Sequence, residues 1–205
     1  MSDKPEYLVL IDIETTGTHY VDDIPLEIGI AVVNHDLDIL HENSWLIWDS
    51  WYAAEVERLR AEANGGNEEA KLVVEMHDKS GLFVDARANG QPLDVIEQRI
   101  LDWLKKIDLP RNQPVLGSTI RFDRNFLFFN FYKVEKYFHY RSVDVSALKV
   151  VAQIWFPEIA DGAKNLQPQK KHRVIPDLHD SLDEFAYYFL HLLTRGSDQD
   201  MWVAL

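Results

Sequence analysis

Two carboxylates near the N-terminus, Asp12 and Glu14, directly follow an apolar and β-branched run at residues 7–11 that predicts a strand. Successive side chains of a strand point to opposite faces, so residues two apart point the same way. Two like charges held that close repel each other unless a cation lies between them. Carboxylate oxygens are hard ligands that suit Mg²⁺ or Mn²⁺. The pair is therefore a candidate half of a divalent metal site, and a solvated strand end before a turn is the open alternative.

Three further residues of the same chemical types occur much later in the chain. Asp123 lies near the start of a helix predicted at residues 121–131, where a carboxylate also favours the positive helix end on its own. His172 lies in a long polar stretch predicted as a loop at 157–176, and Asp177 follows it by five residues. A lone histidine in a basic loop is usually a surface residue, and only its spacing to Asp177 favours a functional reading.

Length and composition favour one α/β domain with its own core. The chain has 205 residues, of which 46% are hydrophobic and 12% aromatic, as expected for a globular protein of this size. It contains no cysteine, which excludes disulfides and thiolate metal ligands. It also shows no apolar run of membrane-spanning length and no leader pattern at Met1. We therefore expect a cytoplasmic protein with no membrane partner.

The formal net charge of −13 limits the kind of nucleic acid that this chain would bind. Proteins that bind long nucleic acids use many Lys and Arg side chains to neutralise phosphates. We therefore expect no long duplex partner. A nucleic-acid substrate would be short or held by a small basic patch, with metal ions supplying much of the positive charge.

The remaining pattern predicts strands at the N-terminal end of the chain and mostly helices after them. Residues 7–11, 26–34 and 37–48 predict a meander of three antiparallel strands. Further strands are predicted at 114–117 and 143–145, and helices at 49–70, 72–86, 92–106, 121–131, 146–155 and from Asp177 onwards. Ser146 is the predicted N-cap of its helix. Residues 196–205 carry weak signals and are expected to be a flexible tail or an arm to a partner.

Phenylalanines recur at helical spacing in the helix predicted at 121–131. Phe122, Phe126 and Phe129 would form one stripe, which predicts a buried face rather than a platform for stacking bases. Residues 49–70 are instead rich in charge, which predicts a solvated surface helix with a mobile loop.

The candidate residues lie within four segments whose amino-acid sequences and order are distinctive. These are residues 8–17 (LVLIDIETTG), 117–127 (GSTIRFDRNFL), 137–149 (YFHYRSVDVSALK) and 172–188 (HRVIPDLHDSLDEFAYY). Together they resemble the motifs of the DEDDh family of 3′-to-5′ exonucleases, and within it the oligoribonucleases, over most of the chain. The resemblance implies a ribonuclease H-like α/β fold, with a mixed β-sheet flanked by α-helices. It also implies one exonuclease domain over 1–205, with an acidic helical insertion around 49–70.

The resemblance implies hydrolysis of phosphodiesters with two divalent ions. Asp12, Glu14, Asp123 and Asp177 would hold two Mg²⁺ or Mn²⁺ ions, which activate water and support the phosphate and the leaving 3′ oxygen. His172 would take the proton of the water as general base. The expected reaction is 3′-to-5′ cleavage of short oligoribonucleotides, including dinucleotides, to 5′-mononucleotides.

A cap over the 5′ phosphate of the substrate is also implied by the resemblance. It maps onto His77, Tyr140, Arg141 and Ser146, with Thr119 at the place of a serine in the family. In the family some of these groups come from a second subunit, so a homodimer is expected.

Two positions depart from the family pattern where the substrate bases would lie. Thr18 replaces a leucine that wedges between the bases, and Leu72 falls where a tryptophan stacks. Loss of a stacking aromatic removes roughly 1–3 kcal/mol of binding free energy per base. The preference is therefore expected to shift towards other short oligonucleotides or linear dinucleotides from signalling molecules.

Two other functions remain open from the sequence. One is a broader DEDDh exonuclease acting on single-stranded DNA or longer RNA, which the acidic balance disfavours. The other is a homologue that binds nucleotides or a partner without hydrolysis, which the complete set of four carboxylates and one histidine disfavours.

Overall fold

The computed structural model describes residues 5–166 and 171–193, and the predicted tail at 196–205 lies outside the described residues. Its five strands are β1 (Leu8–Thr15), β2 (Pro25–Val33), β3 (Ile39–Leu46), β4 (Val115–Gly117) and β5 (Ser142–Asp144). They form one sheet in the order β3-β2-β1-β4-β5. The first three strands are antiparallel, whereas β4 pairs in parallel with β1 and with β5. The predicted meander and the mixed sheet are confirmed.

Nine α-helices accompany this sheet in the described part of the chain. They are α1 (Ser50–Asn64), α2 (Glu68–Ser80), α3 (Leu82–Asn89), α4 (Leu93–Lys106), α5 (Arg121–Asn130), α6 (Tyr132–Glu135), α7 (Val145–Trp155), α8 (Pro157–Ala163) and α9 (Val174–Tyr188). A 3₁₀ turn follows α8, and a π turn follows α9. None of the helices within the described ranges combines the length and the apolar character that crossing a bilayer requires.

The core lies on both faces of the sheet, and β1 contributes to each face in turn. Val9, Ile11 and Ile13 belong to the larger cluster, which includes residues of α4 and α5. Leu10 belongs to the second cluster, which includes residues of α7 and α9. Because both faces are covered, β1 reads as a nearly continuous apolar run, which is why it was recognisable in the sequence.

Gly29 on β2 allows α9 to pack directly on the sheet. A Cβ atom at Gly29 would lie 2.7 Å from Cβ of Val174, the first residue of α9. A side chain at this position would therefore push the start of α9 away from the sheet. Gly29 is also the register partner of Asp12, so the close approach brings α9 to the carboxylate end of β1.

Several predicted boundaries are wrong at the helix ends. Helix α7 begins at Val145, and its N-cap is Asp144, whose carboxylate accepts a hydrogen bond from the amide of Ser146 at 2.9 Å. Ser146 is therefore inside the helix. Asp and Ser are about equally favourable as N-caps, so the sequence alone does not distinguish Asp144 from Ser146 as the capping residue.

The long loop predicted at 157–176 is also wrong. Pro157 begins α8, whose Ile159 and Ala163 are buried, and α9 already begins at Val174. Asp177 therefore lies within the first turn of α9, three residues after the start of the helix, rather than at its first position. Pro176 misled the prediction, because proline breaks helix interiors but is tolerated in a first turn, where the amide needs no partner.

The aromatic stripe on α5 is buried at one end only. Phe126 is fully buried and Phe122 is packed against the core, but Phe129 is 55% exposed. The prediction of a core residue is wrong for Phe129. Its ring contacts Tyr20 and Phe128 at the surface instead.

Candidate active site

The end of β1 supplies the first two carboxylates of the site. Strand β1 continues to Thr15, so Asp12 and Glu14 are strand residues rather than the start of a turn. They lie two and four residues after Leu10 and so point to the sheet face that α9 covers. Glu14 is buried, with 8% of its surface exposed, and Asp12 is half-buried.

The side chain of Asp123 accepts a hydrogen bond from a backbone amide of β1, which the sheet topology leaves accessible. Strand β4 pairs only with Val9 and Leu10, so the amide of Ile13 lies beyond its end. This amide donates to Oδ1 of Asp123 at 3.0 Å, which fixes the first turn of α5 beside the strand. Asp123 is consequently buried within reach of both carboxylates of β1.

The environment of Asp123 disfavours a negative charge. Burial, followed by the charges of Asp12 and Glu14, raises the pKa of Asp123 well above its ordinary value, although backbone hydrogen bonds oppose the change. A divalent cation among these oxygens would remove the repulsion. The donor set therefore fits a site for hard divalent metal ions.

The start of α9 completes the cluster. Ligand atoms of Glu14, His172 and Asp177 all lie within 4.8 Å of one another, so one ion could contact all three. His172 adopts a positive φ of 52°, which is uncommon for a residue other than glycine. Non-glycine residues in this conformation concentrate at functional sites.

Arg173 ties His172 to two other elements. Its Nε donates to Glu27 on β2 at 2.9 Å, and its Nη1 donates to Asp85 on α3 at 2.7 Å. Glu27 is only 3% exposed and is the register partner of Glu14. The guanidinium group thus fastens the residue after His172 to the strand position opposite Glu14.

Sequence reasoning missed the pair formed by Glu27 and Arg173. A signal was present, because Glu27 is the one charged residue in the apolar run of β2. A carboxylate buried in a strand needs a cationic partner, and that partner is 146 residues away along the chain. Its identity was therefore not readable from local pattern.

His77 lies directly behind the carboxylate end of β1. Its side chain is fully buried, and Nε2 is 2.7 Å from the carbonyl oxygen of Thr15, the residue after Glu14. Because a carbonyl only accepts, Nε2 carries the proton. Burial above all, together with the charge of His172, lowers the pKa of His77 to about 4, against the opposing effects of Thr15 and Asp78. His77 is therefore neutral at pH 7.

The other predicted cap residues fall into two groups. Oγ1 of Thr119 lies 2.9 Å from Oγ of Ser146, and the Thr119 amide donates to Asp144. These hydroxyls form one small polar cluster. Tyr140 is 75% exposed and packs on His139, and the Arg141 guanidinium lies 5.5 Å from the Tyr140 ring centroid. Within one chain, Tyr140 and Arg141 therefore do not join the hydroxyl cluster of Thr119 and Ser146.

The two positions that depart from the family pattern are both exposed. Thr18 lies in the turn after β1, and Leu72 on α2 is 66% exposed. A pocket of about 160 Å³ lies between this turn and helices α1 and α2. It is lined by Thr16, Gly17, His19, Asp23, Leu59, Glu62, Asn67, Glu69, Ala70 and Val73. The helical segment at 49–70 thus contributes one wall of a space beside Thr16 and Gly17, which follow β1.

Together, the mixed sheet and the buried carboxylate cluster are those of a nuclease with a ribonuclease H-like fold. A family model described as Exonuclease matches residues 9–185. The chain belongs to this exonuclease family.

Curated relatives agree with this assignment. An oligoribonuclease of Mycobacterium sp. (strain KMS) is 32% identical over 184 residues, which cover 88% of this chain and 79% of the relative. An oligoribonuclease of Nitrosomonas europaea is 33% identical over 192 residues, covering 94% and 98% of the two chains. The resemblance to oligoribonucleases is therefore confirmed.

Solved structures support the fold. The zinc-bound complex of E. coli exonuclease I with single-stranded DNA superposes with a TM-score of 0.62 at 15% sequence identity. The match covers 96% of this chain but only 43% of exonuclease I, so this chain spans less than half the length of that protein. The predicted ribonuclease H-like fold is confirmed.

Proposed function

We propose that this protein is a metal-dependent 3′-to-5′ exoribonuclease that hydrolyses short oligoribonucleotides, including dinucleotides, to 5′-mononucleotides. The observation that carries the proposal is the convergence of Glu14, His172 and Asp177 within 4.8 Å. The buried Asp123 beside β1 adds a further carboxylate. Family membership and the relatives named oligoribonuclease support the reaction and the class of substrate.

Four carboxylates would hold the ions: Asp12, Glu14, Asp123 and Asp177. Their hard oxygen donors suit two Mg²⁺ or Mn²⁺ ions. Ions bound there would activate a water and neutralise charge on the scissile phosphate and the leaving oxygen. The protein supplies the geometry, because β1, α5 and α9 each fix at least one carboxylate through backbone packing.

His172 would act as the general base. Its half-buried side chain lies beside Glu14 and Asp177, where an attacking water would be, and it retains access to solvent for release of the proton. The contacts of Arg173 with Glu27 and Asp85 hold the backbone of this segment in place. A fixed base loses little entropy when the water is deprotonated.

The substrate would extend from this centre towards the predicted cap. The hydroxyls of Thr119 and Ser146 can donate to a 5′ phosphate, and Thr18 and Leu72 would face the bases. Tyr140 and Arg141 are exposed, which supports their contribution to the site of a second subunit in a homodimer.

His77 is included in the cap by resemblance, and its buried position limits its chemistry. At neutral pH its Nδ1 can only accept a hydrogen bond, so a ribose hydroxyl is a better partner than a phosphate oxygen. We place these activities in the cytoplasm, since a chain without cysteine fits a reducing compartment.

A product time course tests the function. RNA and DNA of two to ten nucleotides with a 5′ label would be incubated with Mg²⁺, with Mn²⁺ and with a chelator. We expect mononucleotide release from RNA only in the presence of metal, with the two-residue RNA among the substrates cleaved. Equal cleavage of long single-stranded DNA would favour the broader exonuclease, and binding without cleavage in any metal would contradict the proposal.

A further inference from the structure

A group of exposed aromatic side chains lies beside the candidate active site. Tyr20, Phe128, Phe129 and Tyr132 are 38%, 51%, 55% and 51% exposed. The ring of Phe129 lies 5.0 Å from that of Tyr20 and 5.4 Å from that of Phe128, which in turn lies 5.7 Å from Tyr132. These four rings form a continuous surface, called here the aromatic patch.

The aromatic patch is attached to the same two elements that carry the carboxylates. Tyr20 lies in the turn that follows β1, and Phe129 lies in the last turn of α5, whose first turn carries Asp123. Six residues of α-helix separate Asp123 from Phe129, which corresponds to about 9 Å along the axis. Stacked nucleotides are spaced by about 3.4 Å per strand, so this distance equals two to three nucleotides.

Three of the four rings of the aromatic patch lie in a chain segment whose net charge is opposite to that of the whole chain. Residues 111–141 carry six Arg or Lys and two Asp or Glu, a net charge of +4, in a chain whose net charge is −13. Lys136 places its ammonium group 5.3 Å from the ring centroid of Tyr132. The side chain of Lys133 is 69% exposed and lies 3.4 Å from a carboxylate oxygen of Glu97, which partly neutralises its charge. Aromatic rings interleaved with cations are the surface with which proteins bind single-stranded nucleic acid.

We propose that the aromatic patch binds the 5′-extending nucleotides of single-stranded oligonucleotides longer than two residues. The proposal rests on the proposed exonuclease function, because a strand with its 3′ end at the carboxylates must continue in the 5′ direction away from them. Bases stack on Phe129 and Phe128, and Lys136 contacts the phosphates between them. The patch thereby lengthens the substrate that a chain lacking the family's wedge and stacking residues can hold.

Kinetics on two substrate lengths test this inference. In the double variant Phe128→Ala, Phe129→Ala, we expect KM for a seven-residue RNA to rise at least about tenfold, because loss of stacking on one base alone has an effect of that size. Hydrolysis of a dinucleotide should stay within about twofold, since a dinucleotide does not reach the patch by the spacing above. Trp155→Ala is the matched control, because Trp155 is an aromatic residue with 64% exposure on α7, outside the patch.

A charge variant provides an independent measurement. Lys136→Gln should weaken binding of the seven-residue RNA and reduce its salt dependence by roughly one phosphate contact, while dinucleotide hydrolysis stays unchanged. Equal KM changes for both lengths, or no change for either, would overturn the proposal.

Two further measurements distinguish this proposal from a failure of the proposed function and from a dimer contact. Binding of a labelled seven-residue RNA in chelator, followed by anisotropy, needs no catalysis. About tenfold weaker binding by the double variant would therefore support the patch even if the wild-type protein cleaved nothing and the proposed function failed. If the double variant instead converts a dimer to a monomer in sedimentation and raises KM for both lengths alike, the patch is a contact between copies of this chain and the proposal is wrong.

Discussion

Asp123 shows how one carboxylate couples the stability of this protein to its site. Burial, then the charges of Asp12 and Glu14, raise the pKa of Asp123 well above its ordinary value. A carboxyl group whose pKa is higher in the folded state than in the unfolded state favours folding at low pH. That contribution is lost as pH rises from the ordinary pKa through the raised one. In the absence of metal, Asp123 therefore opposes folding at neutral pH.

We expect Asp123→Asn to abolish hydrolysis and yet raise the free energy of unfolding in chelator at pH 8. The asparagine side chain still offers Oδ1 as acceptor for the backbone N–H of Ile13, but it carries no charge. Urea titrations with and without Mg²⁺ would measure both effects, with Asp183→Asn on the exposed face of α9 as control. Equal stabilisation of wild type and Asp123→Asn by Mg²⁺ would contradict a metal role for this residue.

His77 makes a second contribution with the opposite dependence on pH. Its pKa falls to about 4 on burial, below the ordinary value of 6.5, so the folded state binds fewer protons than the unfolded state between these pH values. Stability therefore decreases as pH falls from 6.5 to 4, by about 3 kcal/mol for a shift of this size. Urea unfolding at pH 7 and pH 4.5 should show a smaller loss in His77→Gln than in wild type. The same loss in both proteins would show that His77 titrates normally.

Arg173 joins three parts of the chain that lie far apart in the sequence. It precedes α9 and contacts Glu27 on β2 and Asp85 on α3, while Gly29 on β2 lets the first turn of α9 reach the sheet. These contacts set where His172 and Asp177 lie relative to Glu14.

Removing the guanidinium group should slow the reaction without weakening substrate binding. We expect Arg173→Gln to lower kcat by roughly ten- to a hundredfold with little change in KM, the size seen when groups that orient a catalytic residue are lost. Arg87→Ala, an exposed arginine on α3, is the control.

The double variant Arg173→Gln, Glu27→Gln separates positioning from stability. Arg173→Gln alone leaves the buried carboxylate of Glu27 without its cationic partner, and Glu27→Gln removes that charge. The free energy of unfolding should therefore recover relative to Arg173→Gln, while kcat stays low. Full recovery of kcat in the double variant would show that Arg173 matters only for stability.

Sequence patterns predicted the helices and strands more accurately than the residues at which they begin and end, and more accurately than the contacts between helices and strands. The apolar run of β1 located Asp12 and Glu14 at a strand end, and their spacing of two residues put both on one face, because strand geometry is a local property. The start of α9 was misplaced because Pro176 stands in a first turn, and Phe129 was misassigned because helical spacing does not tell where the core ends. The pair of Glu27 and Arg173 depends on the packing of distant elements, which no local pattern encodes.

Basic charge and exposed side chains are concentrated in one segment of an acidic protein, where a second copy of the chain could bind. The chain is strongly acidic, but residues 111–141 carry the net charge of +4, and this segment contains Tyr140 and Arg141 as well as α5. Exposed residues proposed to complete the site of a partner require a dimer of defined geometry.

Mixing two inactive variants tests the shared site. If Arg141 of one subunit serves the site of the other, dimers of Asp12→Ala with Arg141→Ala contain one intact site. A mixture after subunit exchange should then regain about a quarter of wild-type activity on a dinucleotide, the share of intact sites in a random mixture of C₂ dimers. Activity no higher than the average of the separate variants would place Arg141 in the site of its own chain.

The rate of dinucleotide RNA hydrolysis as a function of Mg²⁺ concentration shows whether the cluster at the end of β1 is a metal-dependent hydrolytic centre. It would be measured for wild type, Asp177→Asn and Asp180→Asn, the last being a carboxylate about one turn further along α9. We expect Mg²⁺-dependent activity in wild type and Asp180→Asn, and a loss of more than about a hundredfold in Asp177→Asn. Wild-type rates in Asp177→Asn, or full activity in chelator, would contradict this role of the cluster.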